Sequence, residues 1–193
     1  MKIEENALIK NSLGINSRCK LLVTIESLED LPKLKSYING SKDYYIVGEG
    51  TNIVMPNYFD GIIIKANFNY IIEDTEKNIL KVGAAFNWNN LVEHCVSNGI
   101  YGFENLIDIP GSVGASPIQN IGAYGSEVSE VIDSIDCFCL ETFQFKTLSN
   151  SDCKFTYRDS ALKGSKFLIH NINFKINRNS SIFLNYETIN KYI

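Results

Sequence analysis

Residues 109–125 read Ile109-Pro110-Gly111-Ser112-Val113-Gly114-Ala115-Ser116-Pro117-Ile118-Gln119-Asn120-Ile121-Gly122-Ala123-Tyr124-Gly125. They close a longer run, Phe103–Gly125, that shows neither helical nor strand periodicity. The run is too apolar for a flexible linker, because Ile107, Ile109, Val113, Ile118 and Ile121 recur through it. A long aperiodic loop in a compact domain is usually functional or disordered, and the aliphatic residues argue for function. Hydroxyls at Ser112 and Ser116 and amides at Gln119 and Asn120 are interleaved with those aliphatics. Such a mixture suits a flat aromatic ligand with a polyphosphate tail. Aliphatics pack on the ring face, while main-chain and amide groups reach the ring edge and the phosphates. A tightly wound internal loop with no ligand is the alternative.

Working outward, the residues before this stretch divide into two textures. Lys20–Glu26 is apolar and partly β-branched, a strand pattern. Ser27 then opens a helical pattern, with Asp30 three residues on as a capping partner and Pro32 close enough to the start to be tolerated. Leu31, Leu34 and Ile38 recur at helical spacing and read as core, and Asn39-Gly40 ends the segment. Tyr44–Val47 and Gly61–Lys65 are further strands, separated by Gly48-Glu49-Gly50-Thr51-Asn52. The order is a small β-α-β-loop-β unit. From Tyr70 the texture changes to a hairpin, Tyr70–Glu73 and Ile79–Val82 around a polar turn. Trp88–Asn98 follows as a helix that places Leu91, Val92, Cys95 and Val96 on one face and stops at Asn98-Gly99. Beyond the long loop, Val131–Leu140 and Phe143–Leu148 form a β pair, and Phe167–Ile176 alternates as a strand.

Two shorter clusters carry possible chemistry. In Gly48–Asn52, glycines directly after a strand permit close backbone approach and positive φ. Successive N–H groups there can form an anion nest, with Thr51 and Asn52 adding side-chain bonds. The loop is neither a P-loop nor a GxGxxG fingerprint, and a purely structural turn stays open as a reading. Tyr157-Arg158-Asp159-Ser160 places an Arg where it can stabilise developing negative charge; a surface ion pair of Arg158 with Asp159 or another carboxylate is the alternative.

The 193 residues suffice for one good-sized domain or two small ones, and 45% hydrophobic with 21% charged residues is ordinary for a globular fold. A net charge of −4 leaves no basic footprint for nucleic acid. The amino-terminal segment lacks the apolar core of a signal peptide and no long apolar run appears, so a cytoplasmic protein without membrane partners is expected. Cys19, Cys95, Cys137, Cys139 and Cys153 are odd in number and form no CxxC pair, which predicts buried free thiols. His94 and His170 have no acidic partners at ligand spacing, so no metal site is predicted.

GEGTN after an early strand, ENLIDIPGSVGASPIQNIGAYGSEV in the middle and CKFTYRDSALK after it stand in the order and spacing seen in UDP-N-acetylenolpyruvoylglucosamine reductases, which the chain resembles from about Asn11 onward. Asn11-Ser12-Leu13-Gly14-Ile15 resembles the family's amino-terminal NTFGI with two substitutions. The resemblance implies an α+β fold of the vanillyl-alcohol-oxidase/p-cresol-methylhydroxylase type, with FAD between two subdomains, 1–67 and 68–177. Residues 178–193 would start a third, substrate-binding region that is otherwise lacking.

By the same resemblance, Gly48, Glu49, Gly50, Thr51 and Asn52 would hold the FAD diphosphate. Pro110, Gly111, Ser112, Gly114, Ala115, Ser116, Ile118, Gln119, Asn120, Ile121, Gly122, Ala123, Tyr124 and Gly125 would wrap the rest of the cofactor. NADPH reduces the flavin in the family, and hydride then passes to the enolpyruvyl double bond of UDP-GlcNAc-enolpyruvate, a step in peptidoglycan synthesis. Arg158 matches the family's catalytic Arg, Tyr157 the neighbouring pocket residue, and Tyr186 a tyrosine that closes over the substrate diphosphate. The family's proton-donor Ser segment and carboxy-terminal Glu have no counterpart in the sequence, so the chain alone is expected to be inactive. A short flavin- or nucleotide-binding protein without reductase activity is the alternative, and another flavin oxidase of the same fold a third.

Overall fold

The computed structural model describes residues 1–39 and 43–179. Two β-sheets meet at an apolar cluster to which both contribute residues, with a further cluster on each side. The first sheet has the order β1-β2-β4-β3, from β1 (Lys2–Ile9), β2 (Ser17–Ile25), β3 (Tyr44–Ile46) and β4 (Tyr58–Ala66). β1 runs antiparallel to β2, whereas β2 and β3 both run parallel to β4. Gly61, Ile62, Ile63 and Ile64 of β4 are all buried, the near-continuous apolar run expected of a parallel strand covered on both faces. Strand β1 was not anticipated. Its Lys, Glu and Asn residues are mostly exposed at the sheet edge, so its sequence carries little alternation to betray it.

The segment after β2 departs from the expected helix. Leu28–Leu34 forms 3₁₀ turns, and only Lys35–Ile38 (α1) is α-helical. Pro32 lies inside the 3₁₀ stretch and supplies no N–H, which weighs against a regular α-helical ladder there. The Ser27 amide does donate to Asp30 Oδ2 (3.3 Å), as the capping reading required, and Lys33 Nζ reaches Asp30 Oδ1 at 2.9 Å. Leu31, Leu34 and Ile38 are buried against Ile25 and Ile64 of the first sheet and against Phe138, Leu140 and Leu168, which belong to the second-sheet part of the chain.

The second sheet is antiparallel throughout, with the order β10-β9-β11-β6-β5. Its strands are β5 (Ile71–Asp74), β6 (Ile79–Gly83), β9 (Ile132–Cys139), β10 (Gln144–Ser149) and β11 (Phe167–Lys175), each within a residue or two of expectation. A minor ribbon, β7 (Gly122–Ala123) and β8 (Ser126–Glu127), closes the long loop through Tyr124 and Gly125, both at positive φ. Two-residue turns of that kind favour such conformations. Helix α2 (Trp88–Ser97) packs under this sheet. Asn87 caps it by accepting from the Asn90 amide (3.1 Å), and Gly99 stands at φ +64 just beyond it. Trp88 is fully buried, donates from Nε1 to the Leu106 carbonyl (2.8 Å), and meets Phe174 edge-on.

All five cysteines are free and buried, as expected. His170 is buried in β11 between Phe68 and Phe145, and burial lowers its pKa, the state of a core histidine. Among the described residues, no helix is long and apolar enough to cross a membrane.

Candidate functional site

The cleft begins where β3 ends. Its last residues lead into Gly48–Asn52, which the chain can form only with glycine at key places. Gly50 is buried at φ +75, and a Cβ there would run into the carbonyl oxygen of Lys10. Ser12 braces the same turn from behind: its amide donates to the Gly50 carbonyl (3.1 Å) and its hydroxyl to the Thr51 carbonyl (3.2 Å). Among the described residues, the amides of Gly48 through Asn52 donate to no protein acceptor. A run of N–H groups left without partners at a cleft is an anion-binding arrangement.

The second wall is the start of the long loop. Val113 N donates to the Phe86 carbonyl (2.9 Å), Gly114 N to Ala84 (2.9 Å), and Trp88 N to Gly111 (3.0 Å), so this wall is fastened to the entry of α2. The two glycine-bearing segments converge. Asn52 Nδ2 donates to Gln119 Oε1 at 2.9 Å, and Thr51 Oγ1 to the Pro110 carbonyl at 3.3 Å. Asn87 Nδ2, at the cap of α2, reaches Glu49 Oε1 at 3.3 Å. A Cβ added at Gly48 would lie 2.8 Å from Ser112 Oγ, and one at Gly111 3.2 Å from Thr51 Oγ1. The main chains thus approach more closely than side chains would permit.

Two cavities open beside this junction. One has a volume of about 1140 Å³ and runs from Gly48 and Glu49 past Lys65, Ala84, Ser112 and Ala115 to Lys166 and Phe167. The other, about 240 Å³, is walled by Gly48–Asn52, Trp88, Pro110–Ser112 and Ser116, Ile118, Gln119 and Ile121. They share Gly48, Glu49, Ser112, Ala115 and Ile118, and so form one branched cleft. The larger branch alone exceeds the range usual for single-ligand clefts, about 300–1,000 Å³.

Not every expected polar group is free for a ligand in that cleft, even where its residue forms part of the wall. Ser116 is 2% exposed and its hydroxyl donates back to the Val113 carbonyl (2.8 Å). Asn120 is fully buried; its Nδ2 bonds Glu127 Oε2 (2.6 Å) and the Thr156 carbonyl (3.1 Å), and its Oδ1 accepts from the Ser129 amide (3.1 Å). Neither cavity is lined by Asn120, Gly122, Ala123, Tyr124 or Gly125. Tyr157 and Arg158 occupy the tip of a tight turn closed by reciprocal bonds between Thr156 and Asp159. Arg158 sits at φ +54 with its guanidinium on the carbonyls of Asn120 and Gly122 and 5.4 Å from the Tyr157 ring centroid. Asp159 pairs with Lys163 (3.4 Å) rather than with Arg158. Ser160 Oγ donates to the Ile118 carbonyl (2.9 Å), tying this turn to the second wall. Tyr186 lies outside the described residues.

Sequence reasoning missed three residues at the junction. Ser12 and Asn87 act as braces from distant segments, and nothing local marks them. Lys65 could have been found: one residue past Ile64, it shares a face of β4 with buried Ile63 and so carries a charge on an inward-facing side.

Comparison with known proteins places these features in a family. A family model described as FAD binding domain matches residues 19–139. The chain is 39% identical over 170 residues to the UDP-N-acetylenolpyruvoylglucosamine reductase of Aliivibrio fischeri, covering 84% of this chain and 48% of that one. It is 35% identical to the same-named protein of Amoebophilus asiaticus, covering 100% and 60%. The chain thus spans about half the length of the curated relatives it matches. The crystal structure of the reductase from Thermus caldophilus superposes with a TM-score of 0.77 at 22% identity, covering 92% of this chain and 63% of that one. 6-Hydroxy-D-nicotine oxidase from Arthrobacter nicotinovorans does so with 0.64 at 16%, covering 91% and 42%. At those identities the structures speak to fold alone, and the α+β fold class inferred from the sequence is borne out, as is the resemblance to the reductases.

Proposed function

This chain belongs to the FAD binding domain family, and from that premise we propose that it is the FAD-holding part of a reductase acting on UDP-GlcNAc-enolpyruvate in peptidoglycan synthesis, a cytoplasmic process. One observation carries the reading: Gly48–Asn52 and the start of Pro110–Gly125 meet across a branched cleft, with five successive amides unpartnered among the described residues. The donor set fits the cofactor. Main-chain N–H groups suit a diphosphate, and the positions where a Cβ would meet Ser112 or Thr51 need the bare backbone that glycine supplies. Trp88, Ile109, Ile118 and Ile121 give the smaller branch an apolar lining suited to a flat ring.

When bound, the flavin supplies hydride acceptance from NADPH and hydride donation to the substrate. The protein positions and polarises. In this reading residues 1–67 and 68–177 act as two cofactor-binding subdomains around the cleft, and 178–193 opens the substrate-binding region. Gly48–Asn52 hold the diphosphate, and the second wall holds the ring and excludes water from it. Arg158 stabilises negative charge developing on the substrate beside the Asn120–Gly122 end of that wall, and Tyr157 lines the approach. Two carbonyl contacts leave a guanidinium with donors to spare for such a role.

Purified chain titrated with FAD is expected to take up the cofactor, with perturbed flavin absorbance and quenched flavin fluorescence. A colourless chain that leaves added FAD unperturbed would refute the reading. This chain spans about half of each relative named for the reduction, so the reduction is measured on a protein of the relatives' length. In that protein Arg158→Ala is expected to lower kcat, as for a contact stronger in the transition state than in the ground state, and an effect confined to KM would contradict the role.

A further inference from the structure

The large branch of the cleft is lined by four lysines, Lys2, Lys10, Lys65 and Lys166, and by four glutamates, Glu4, Glu5, Glu26 and Glu49. Two of the lysines already have partners, since Lys2 pairs with Glu4 (3.0 Å) and Lys166 lies 4.7 Å from the centroid of the Tyr44 ring. Lys10 is exposed at the end of the first strand, where water solvates it. Lys65 differs from all three. It is half-buried near the end of the central parallel strand, and among the described residues it makes no ion pair.

Its surroundings favour loss of its charge. Burial and repulsion from Lys10 both lower its pKa, and only the Glu49 carboxylate opposes them. Glu49 in turn sits in the first glycine loop and is bonded by Asn87. Lys65 lines the branch of the cleft that includes Gly48 and Glu49, the start of the run of amides without acceptors among the described residues. A partly buried cation without a full counter-charge is costly, and removing it to improve the fold would be simple, since the flanking Ile62, Ile63 and Ile64 show that β4 accommodates aliphatic side chains. An anionic ligand beside Gly48 and Glu49 would give Lys65 the paired counter-charge it lacks among the described residues.

We propose that Lys65 is the side-chain cation that holds the phosphate groups of a dinucleotide against the main-chain amides of Gly48–Asn52. The inference rests on the cofactor reading above and adds to it a residue that neither glycine loop contains. An ammonium on a four-carbon stem suits the task as a mobile point charge with three donors, complementing amides fixed in the backbone.

The test is FAD binding to the chain, followed by flavin fluorescence at low and at high sodium chloride, for wild type, Lys65→Met, Lys65→Gln and Lys65→Arg. Lys65→Met and Lys65→Gln are expected to weaken FAD binding by roughly tenfold or more at low salt. They should also flatten the salt dependence, because an ionic contact has gone. Lys65→Arg, which keeps the charge, should bind within a fewfold of wild type and retain the salt slope. Using both neutral variants guards against one of them failing to fold. Neutral variants that bind FAD as wild type does, or that lose affinity with the salt slope intact, would overturn the assignment while leaving the cofactor reading standing. A wild-type chain that does not bind FAD would instead overturn the cofactor reading, and this inference with it.

Discussion

Residues 48–52 and residues 110–125 face one cleft, yet the first loop sends its side chains across the gap and the second turns many of its own inward. Glu49, Thr51 and Asn52 all bond groups on the facing wall. Ser116 and Asn120, whose hydroxyl and amide looked equally suited to a ligand, bond Val113, Glu127, Thr156 and Ser129 instead. A short loop anchored at both ends needs an outside brace, here Ser12, with the Lys10 main chain packed close behind Gly50. A long loop must satisfy its own buried polar groups, because each one left unpaired costs about 1–3 kcal/mol. Polar residues in a long binding loop therefore divide into those that shape it and those that face the ligand. The type of residue does not say which.

The contrast is sharpest at the glycines. Gly50 and Gly125 both have positive φ, at +75 and +82, but only Gly50 has protein packed where a Cβ would go. Gly50→Ala combines backbone strain with collision against Lys10 and is expected to cost roughly 2–4 kcal/mol of unfolding free energy and to abolish FAD uptake. Gly125→Ala has only the strain and is expected to cost about 1 kcal/mol with FAD uptake retained. Urea denaturation of the two variants side by side measures the difference. Equal losses would mean that the first loop is not the more tightly constrained of the two.

A smaller effect separates shape from contact within the second loop. Asn120→Ala would leave the Ser129 amide and the Glu127 carboxylate short of partners, and is expected to cost roughly 2–3 kcal/mol. Because its side chain faces away from both cavities, FAD affinity of the folded protein should stay near wild type. Gln119→Ala should do the reverse, leaving stability nearly unchanged while weakening FAD. Thermal melts paired with FAD titrations distinguish the patterns, and a large affinity loss in Asn120→Ala with normal stability would place that amide on the ligand after all.

Much of the fold was legible in the sequence because its strands carry strong patterns. The Ile run of β4 and Leu91, Val92 and Cys95 of α2 state their own burial. The alternation of Phe167–Lys175 instead marks a strand that is buried on both faces, and Val96 of the expected α2 stripe is exposed. The charged edge strand β1 states little, since most of its residues are exposed and only Ile9 is buried, and the segment with Pro32, expected as a helix, forms 3₁₀ turns. At the site, the two glycine loops were legible as motifs, and their convergence followed only from the pairing of sheets far apart in sequence. Ser12, Lys65 and Asn87 reach the junction from three other segments, so no local window around either motif contains them.

The bond between Asn52 and Gln119 joins the loops most directly, and it is also where the smallest effect is expected. Both side chains reach into solvent at the cleft mouth, and a hydrogen bond that water can replace contributes only about 0.5–1 kcal/mol. Single substitutions to Ala should therefore each change stability by less than about 1 kcal/mol. Their coupling in a double-mutant cycle should be about 0.5 kcal/mol without ligand. If both loops grip one cofactor, FAD couples them through itself, and the same cycle measured on FAD affinity should give a larger interaction than the cycle measured on folding. Zero coupling in the affinity cycle would mean that each loop acts alone, and that their meeting serves the fold rather than a shared ligand.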